Sequence, residues 1–389
     1  MTGTNASSGQ SRSHTGEGFT LWILLVTYGS FYFCRTNISA AIPGIEAEFE
    51  LTKTQIGFIL GSLKLAYGIG QFVNGQLAER VSPRKLLTIG MLMSATLNVV
   101  FGFGTGLYFL IFVWACNGYF QALGWTPCMR VAANWCPVTT RGRSIGIIGM
   151  GYQAAAALTF VVSGFSVEYF GWRGALFVPA GILMLSCLHM LYFLKETPAE
   201  VTAESDVFDK PADAVKPAKL KVRETLLITL SNPGLWILAI ALGLLNACRY
   251  GFLDWGIPFL VETQGNSVSK AALKYAVLPL GGILGSYLAG WMTDRFFGGR
   301  RAPLICMLML VLGGLTLTFY TLAQVGLWTA LIVLLCTGFT IYGPQVLLVG
   351  TAAIDLARKG TPAAAVGMVN FMGYMGAFCG DQVTGILVD

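Results

Sequence analysis

The sequence predicts an all-α, polytopic membrane protein, and three observations predict it. Of 389 residues, 55% are hydrophobic and only 11% charged, against about 25% charged in a soluble domain. The mean hydropathy is +0.66. Apolar runs recur from end to end, each long enough to cross a hydrocarbon core of about 30 Å. In such a core the backbone must satisfy its own polar groups, which favours helices.

Taken in order, the expected spans are 19–41, 55–78, 85–104, 107–128, 144–168, 173–194, 235–260, 271–292, 302–323, 327–351 and 362–388. Residues 1–18 are polar and lack the apolar region of a cleaved signal. Between the sixth and seventh spans runs "KETPAEVTAESDVFDKPADAVKPAKLKVRE", charged and rich in Pro and Ala, hence a solvated linker over 195–234. It separates a bundle at 19–194 from a second at 235–389.

Alternate short loops carry the positive charge: Arg80, Arg84 and Lys85; Arg130, Arg141 and Arg143; Arg295, Arg300 and Arg301; Arg358 and Lys359. The opposite loops hold little beyond Lys53, Arg173 and Lys270. By the positive-inside rule, the N-terminus and linker are expected in the cytoplasm. The nine cysteines are scattered through apolar runs without CxxC pairing and read as small buried hydrophobes. No HExxH, P-loop or GxSxG pattern is present, so hydrolase and ATPase chemistry has no footing.

The two bundles repeat. "GQLAERVSPRK" (Gly75, Glu79, Arg80, Arg84) follows the second span, and "GWMTDRFFGGRR" (Gly290, Asp294, Arg295) follows the eighth, about 215 positions on. The same shift carries Arg35, in "SFYFCRTNISA", onto Arg249, in "LLNACRYGFLDW". Such repeats belong to transporters that hold substrate near the midplane between halves.

A charge at the bilayer centre costs from about 2.5 to more than about 10 kcal/mol. Arg35 lies about 16 residues into its span and Arg249 about 14, too deep to snorkel. One reading neutralises each with a buried carboxylate; Asp254 is available to Arg249, and no acid shares the first span before Glu46. The other has both facing a water-filled cavity and gripping one anion, because guanidinium forks match phosphate oxygens and stay charged at any cellular pH. An anion would relieve the repulsion between them and draw the halves together, favouring exchange over one-way movement.

Three polar stripes at helical spacing accompany them: Tyr28, Tyr32 and Arg35; Lys64, Tyr67 and Gln71; Asn117, Gln121 and Trp125. Lys64 is a candidate third cationic contact or a snorkelling residue. Lys270 and Lys274 read as anchors at a span entrance. Asp381, late in the last span, reads as an outer-end residue, with a coupling carboxylate as the alternative. Small residues in "GSLKLAYGIGQFVNG" and "GGILGSYLAG" allow close helix packing.

The repeated G-x-x-x-D/E-R signature resembles the major facilitator superfamily. "AYGIGQFVNGQLAERVSPR", "GWTPCMRVAANW", "RYGFLDW" and "IYGPQVLLVG" are similar to the organophosphate:phosphate antiporters. The resemblance covers nearly the whole chain. It implies a major facilitator fold of two pseudo-symmetric six-helix bundles, and exchange of an organic phosphate for inorganic phosphate. It places the family's essential arginines on Arg35 and Arg249, its binding-site aromatics on Tyr28, Tyr32, Tyr67, Tyr342 and Tyr374, and its acidic residue on Asp254. Glycerol-phosphate carriers have lysine where this chain has Gln71 and histidine where it has Tyr152. The phosphate clamp therefore carries over and the organic moiety does not.

By the repeat, "TGILVD" lines up with "SGFSVE" and stops, so eleven spans are expected with the last helix of the second bundle missing. The resemblance further implies a monomer in lipid with a small anionic substrate, in the plasma (inner) membrane, and neither cofactor, metal, catalytic residue nor nucleic-acid partner. A membrane sensor of a phosphorylated metabolite, or a carrier of another organic anion, fits the same residues.

Overall fold

The computed structural model describes residues 16–77, 81–136, 138–198, 227–357 and 362–389. They are helical, with no strand among them. The early set comprises α1 (Glu17–Ser30), α2 (Ile38–Phe49), α3 (Lys53–Leu77), α4 (Pro83–Gly102), α5 (Leu107–Gln121), α6 (Trp125–Trp135), α7 (Val138–Phe170) and α8 (Gly174–Phe193). The later set comprises α9 (Pro233–Gln264), α10 (Val268–Tyr275), α11 (Val277–Phe297), α12 (Ala302–Val325), α13 (Leu327–Val346), α14 (Ala353–Leu356) and α15 (Pro362–Val388). Among the described residues, eight helical stretches are long and apolar enough to cross a membrane. Helices also run through the first, second and eleventh expected spans as α1–α2, α3 and α15.

The first expected span is not one helix. It breaks at a 3₁₀ turn, Phe31–Cys34, and resumes at Ile38. A break inside hydrocarbon leaves carbonyls that need donors from neighbouring helices. Here the side-chain amide of Gln121 supplies one: Nε2 donates to Phe31 O at 3.0 Å. Asn117 Nδ2 donates to Cys34 O at 2.9 Å, and Asn98 Nδ2 to the same oxygen at 3.3 Å. Other boundaries differ from expectation because hydropathy marks the hydrocarbon section while the helix runs on. Thus α7 begins at Val138 and the fourth span continues, after a turn, into α6. Near the end of the tenth span, Pro344 lacks the donor an α-helix needs, and a π turn follows at Leu347–Ala352.

The repeat seen in the sequence recurs in the packing. A Cβ on Gly118 would meet Leu63 O at 2.2 Å, and one on Gly338 would meet Leu278 O at 1.9 Å. So α5 presses on α3 as α13 presses on α11, each pair with glycine at the point of closest approach. α8 packs against α1, α4 and α7. The corresponding face of the later set, between α9, α12 and α15, is an apolar groove of about 870 Å³ lined by Phe252, Phe259, Phe319, Tyr320 and Val383 among others.

The two sets meet chiefly through α3 on α15, α2 on α9, and α7 on α10 and α11. Bonds between them gather toward the Lys53 end of α3. Lys53 pairs with Glu262, Asp389 accepts from the backbone N–H of Thr54 at 2.8 Å, Ser269 pairs with Glu168, and Ser39 Oγ donates to Asp254 O at 2.8 Å. All nine cysteines are free.

Candidate functional site

Arg35 leaves the chain at the break in the first span, C-terminal to the 3₁₀ turn. Its Nε donates to Gln121 Oε1 at 3.1 Å. The same Gln121 amide holds Phe31 O and Ser94 Oγ, so one side chain both repairs the broken helix and aims the guanidinium. The Arg35 Cζ lies 4.8 Å from the centre of the Tyr32 ring and 4.4 Å from that of Tyr67. Its Nη2 has no hydrogen-bond partner.

Arg249 sits midway along α9 with a similar environment. Its Cζ is 4.8 Å from the Tyr250 ring centre and 4.9 Å from that of Tyr342, and its Nε is unpartnered. The two arginines are 5% and 3% exposed. Both are therefore packed into aromatic walls, rather than open to a water-filled cavity as expected. Among the described residues, no carboxylate pairs with either. A desolvated cation over an aromatic face gains about 2 kcal/mol, well short of the cost of burying a lone ion.

The sequence-predicted aromatics assemble around the pair. Tyr152 stacks on Tyr32 with centroids 4.9 Å apart and 17° between planes, and meets Tyr28 edge-on. Tyr28 also contacts Trp125 at 4.9 Å, while Tyr67 contacts Tyr374 of α15 at 4.7 Å. Gln71 is half-buried on α3, and no bond joins it to the cluster among those described. Gly75 lies in α3 and Gly290 in α11. Glu79, Arg80 and the side chain of Asp294 lie outside the described residues. Arg295 is exposed. Arg84 is exposed and bonds to the chain near the end of α8 through Leu191 O and Glu196.

Three placements correct the sequence expectation. Asp254, the offered partner of Arg249, instead forms an ion pair with Lys64 of α3. Lys64 neither snorkels nor stands free, because it lies between two acids, with Asp381 Oδ2 at 2.8 Å from its Nζ. Asp381, packed beside Gly57 near the Lys53 end, is not a lone outer-end residue but is fully buried against Lys64, because α15 packs tightly between α3 and α9. Sequence reasoning missed Tyr250, whose ring centre lies 5.0 Å from Lys64 Nζ. It placed Gln121 in a polar stripe with Asn117 and Trp125, without joining it to Arg35 or to the broken helix.

Two guanidiniums from opposite sets, each without a carboxylate among the described residues and with an N–H to spare, lie beside a charged triad that ties the sets together. The groove between α9, α12 and α15 is lined mostly by apolar residues and by neither arginine nor any member of the triad. No group of metal-ligating residues occurs among the described residues.

The profile of the Major Facilitator Superfamily matches residues 24–380. A probable hexose phosphate transport protein of Chlamydia trachomatis is 30% identical, covering 91% of this chain and 81% of its own. A glycerol-3-phosphate transporter of Bacillus subtilis is 31% identical, covering 94% and 85%. A membrane sensor protein, UhpC of Salmonella typhimurium, is 30% identical, covering 92% and 81%. Among solved structures, a bacterial homolog of the human lysosomal transporter Spinster, inward-facing and unoccupied, superposes with a TM-score of 0.80 at 18% identity, covering 98% of this chain and 83% of that one.

Proposed function

The chain belongs to the major facilitator superfamily, in its organophosphate:phosphate antiporter group, and from that premise we propose that it exchanges an organophosphate for inorganic phosphate across a plasma (inner) membrane. The observation that carries this reading is the pair Arg35 and Arg249. Each is buried, free of a carboxylate among the described residues, and holds an unpartnered N–H. A phosphate group offers several oxygens to two such forks at once.

Arg35 and Arg249 grip the phosphate, and Tyr28, Tyr32, Tyr67, Trp125, Tyr152, Tyr342 and Tyr374 wall it in, with Gln71 at the margin. The N-terminus and linker are cytoplasmic, which makes the Lys53 end the outer one. Bonds between the sets at that end fit an arrangement closed to the outside. Two bundles, 19–194 and 235–389, then rock about the clamp, with the Gly75–Arg84 and Gly290–Arg295 segments guiding the inner ends. Phosphate relieves the repulsion between the arginines, so the loaded carrier reorients more readily than the empty one. A carrier of this kind acts as a monomer, makes no covalent bond and calls for no cofactor.

The test is labelled phosphate uptake into proteoliposomes with and without internal phosphate. Uptake that requires internal phosphate supports exchange. The sensor relative favours a second reading, a receptor for a phosphorylated metabolite, which would bind phosphate esters without counterflow. Uptake of another anion that phosphate does not compete would sink both.

A further inference from the structure

We propose that Asp381 is a proton-binding site, loaded and emptied as the two sets of helices close and part at the Lys53 end. The proposal goes beyond phosphate exchange but rests on the alternating movement just described.

The charged triad is unbalanced. Lys64 supplies one positive charge, and Asp254 and Asp381 two negative ones. Lys64 is 3% exposed, Asp254 2% and Asp381 fully buried. Two carboxylates sharing one site in low dielectric do not both stay ionised at little cost; one retains a proton. Asp254 forms the ion pair with Lys64. Asp381 faces Nζ through Oδ2 only, and its Oδ1, buried, makes no hydrogen bond. The Trp255 indole neighbours the same carboxyl without closing a hydrogen bond to it. A proton on Oδ1 removes the excess charge where no other group does.

The remaining groups do not supply that charge. From α3 the carboxyl faces Lys64, with Tyr67 lying against Tyr374 on its own helix. From α9 it faces Asp254 and Trp255, with Tyr250 beside Lys64. Arg35 and Arg249 lie against Tyr67 and Tyr250 respectively, and neither pairs with the Asp381 carboxyl among the described residues. From the first span, Ser39 reaches only the backbone oxygen of Asp254.

The triad also spans the moving joint. Lys64 belongs to the early set and both acids to the later one, so parting the sets takes the ammonium from both carboxylates and lets water reach Asp381. With Asp381 protonated, the clamp and triad together hold three cations and one carboxylate, and a doubly charged phosphate balances them. Binding of a dianion should therefore leave the Asp381 proton in place.

Infrared difference spectra of the full chain in liposomes, recorded while pH is varied through the neutral range, read the carboxyl directly and need no substrate. A protonated-carboxyl band in the wild type that is lost in Asp381→Asn and kept in Asp254→Asn is expected. An identical band in wild type and Asp381→Asn overturns the proposal. Should Asp381→Asn fail to fold, Asp381→Glu decides: a displaced band supports the assignment and an unmoved one overturns it. Adding inorganic phosphate to the wild type should leave its protonated-carboxyl band in place. A band lost when phosphate binds overturns the charge balance. A folded chain that binds no phosphate defeats the exchange reading, and the infrared band still decides the proton site.

Discussion

Arg249 and Lys64, from opposite sets of helices, lie against one aromatic ring: the centre of Tyr250 is 4.8 Å from the Arg249 Cζ and 5.0 Å from the Lys64 Nζ. The ring therefore joins Arg249 to the triad that ties the sets together. On the proposed function, a ligand that draws on Arg249 acts within one side chain of the Lys64–Asp254 pair.

The clamp is tested by Arg35→Lys and Arg249→Lys. Lysine keeps the charge and loses the fork. Loss of one hydrogen bond to a charged group, about 1.5–3 kcal/mol, should slow phosphate exchange on the order of ten- to a hundredfold for each variant. Exchange rates in proteoliposomes within twofold of wild type would remove both arginines from the clamp.

Gln121→Leu should act on stability and on the clamp together. It strips the donor from Phe31 O and the acceptor from Arg35 Nε. An unsatisfied buried group costs about 1–3 kcal/mol. The thermal midpoint in detergent should fall, and phosphate should bind more weakly. A lowered midpoint with unchanged affinity would show that Gln121 repairs the helix without aiming Arg35.

Lys64→Gln leaves two buried acids without their cation, and breaking a buried pair typically costs about 3–5 kcal/mol. Adding Asp254→Asn to it should recover part of the loss, because one uncompensated charge disappears. Unfolding of the two single variants and the double variant closes the cycle. Additive losses would mean that the pair contributes no coupling across the joint.

At the Lys53 end, Glu48 accepts from Arg173 Nη1 at 2.6 Å and from Trp172 Nε1 at 2.7 Å. Arg173, then Trp172, hold its carboxyl down from the ordinary 4.5 to about 2. A depressed carboxylate stabilises the fold fully above 4.5 and loses that contribution as pH falls towards 2. The midpoint difference between wild type and Glu48→Gln should be constant above pH 4.5 and shrink below it, modestly because the pair is more than a third exposed. A gap that widens on acidification contradicts the assignment.

Gly118→Val or Gly338→Val should prevent assembly of the bundle. The added Cβ meets the backbone oxygen of the neighbouring helix, and backbone within a packed helix cannot step aside as a side chain can. Monodisperse, heat-stable protein from either variant would show that these helices can part without loss.

The arginine pair was legible because it is written twice. The shift of about 215 positions that maps "GQLAERVSPRK" onto "GWMTDRFFGGRR" also maps Arg35 onto Arg249. A charge stands out wherever its neighbours are hydrocarbon, and helical spacing placed Tyr28 and Tyr32 on its face. The break at Phe31–Cys34 was not legible, since the apolar run continues through it. Its cause lies in amides from α4 and α5.

The sequence by itself determined that the chain crosses a membrane, that it repeats, and that two arginines occupy matching depths, because hydropathy, period and charge are local properties. Only the tertiary structure decided which charges meet. Asp254 lies five positions from Arg249 and 190 from Lys64, yet it pairs with Lys64. On a helix five residues turn a side chain well away from its neighbour, whereas packing α3 against α15 and α9 brings a distant ammonium between two acids. Ion pairs follow distance in space, and in a bundle that is set by which helices touch.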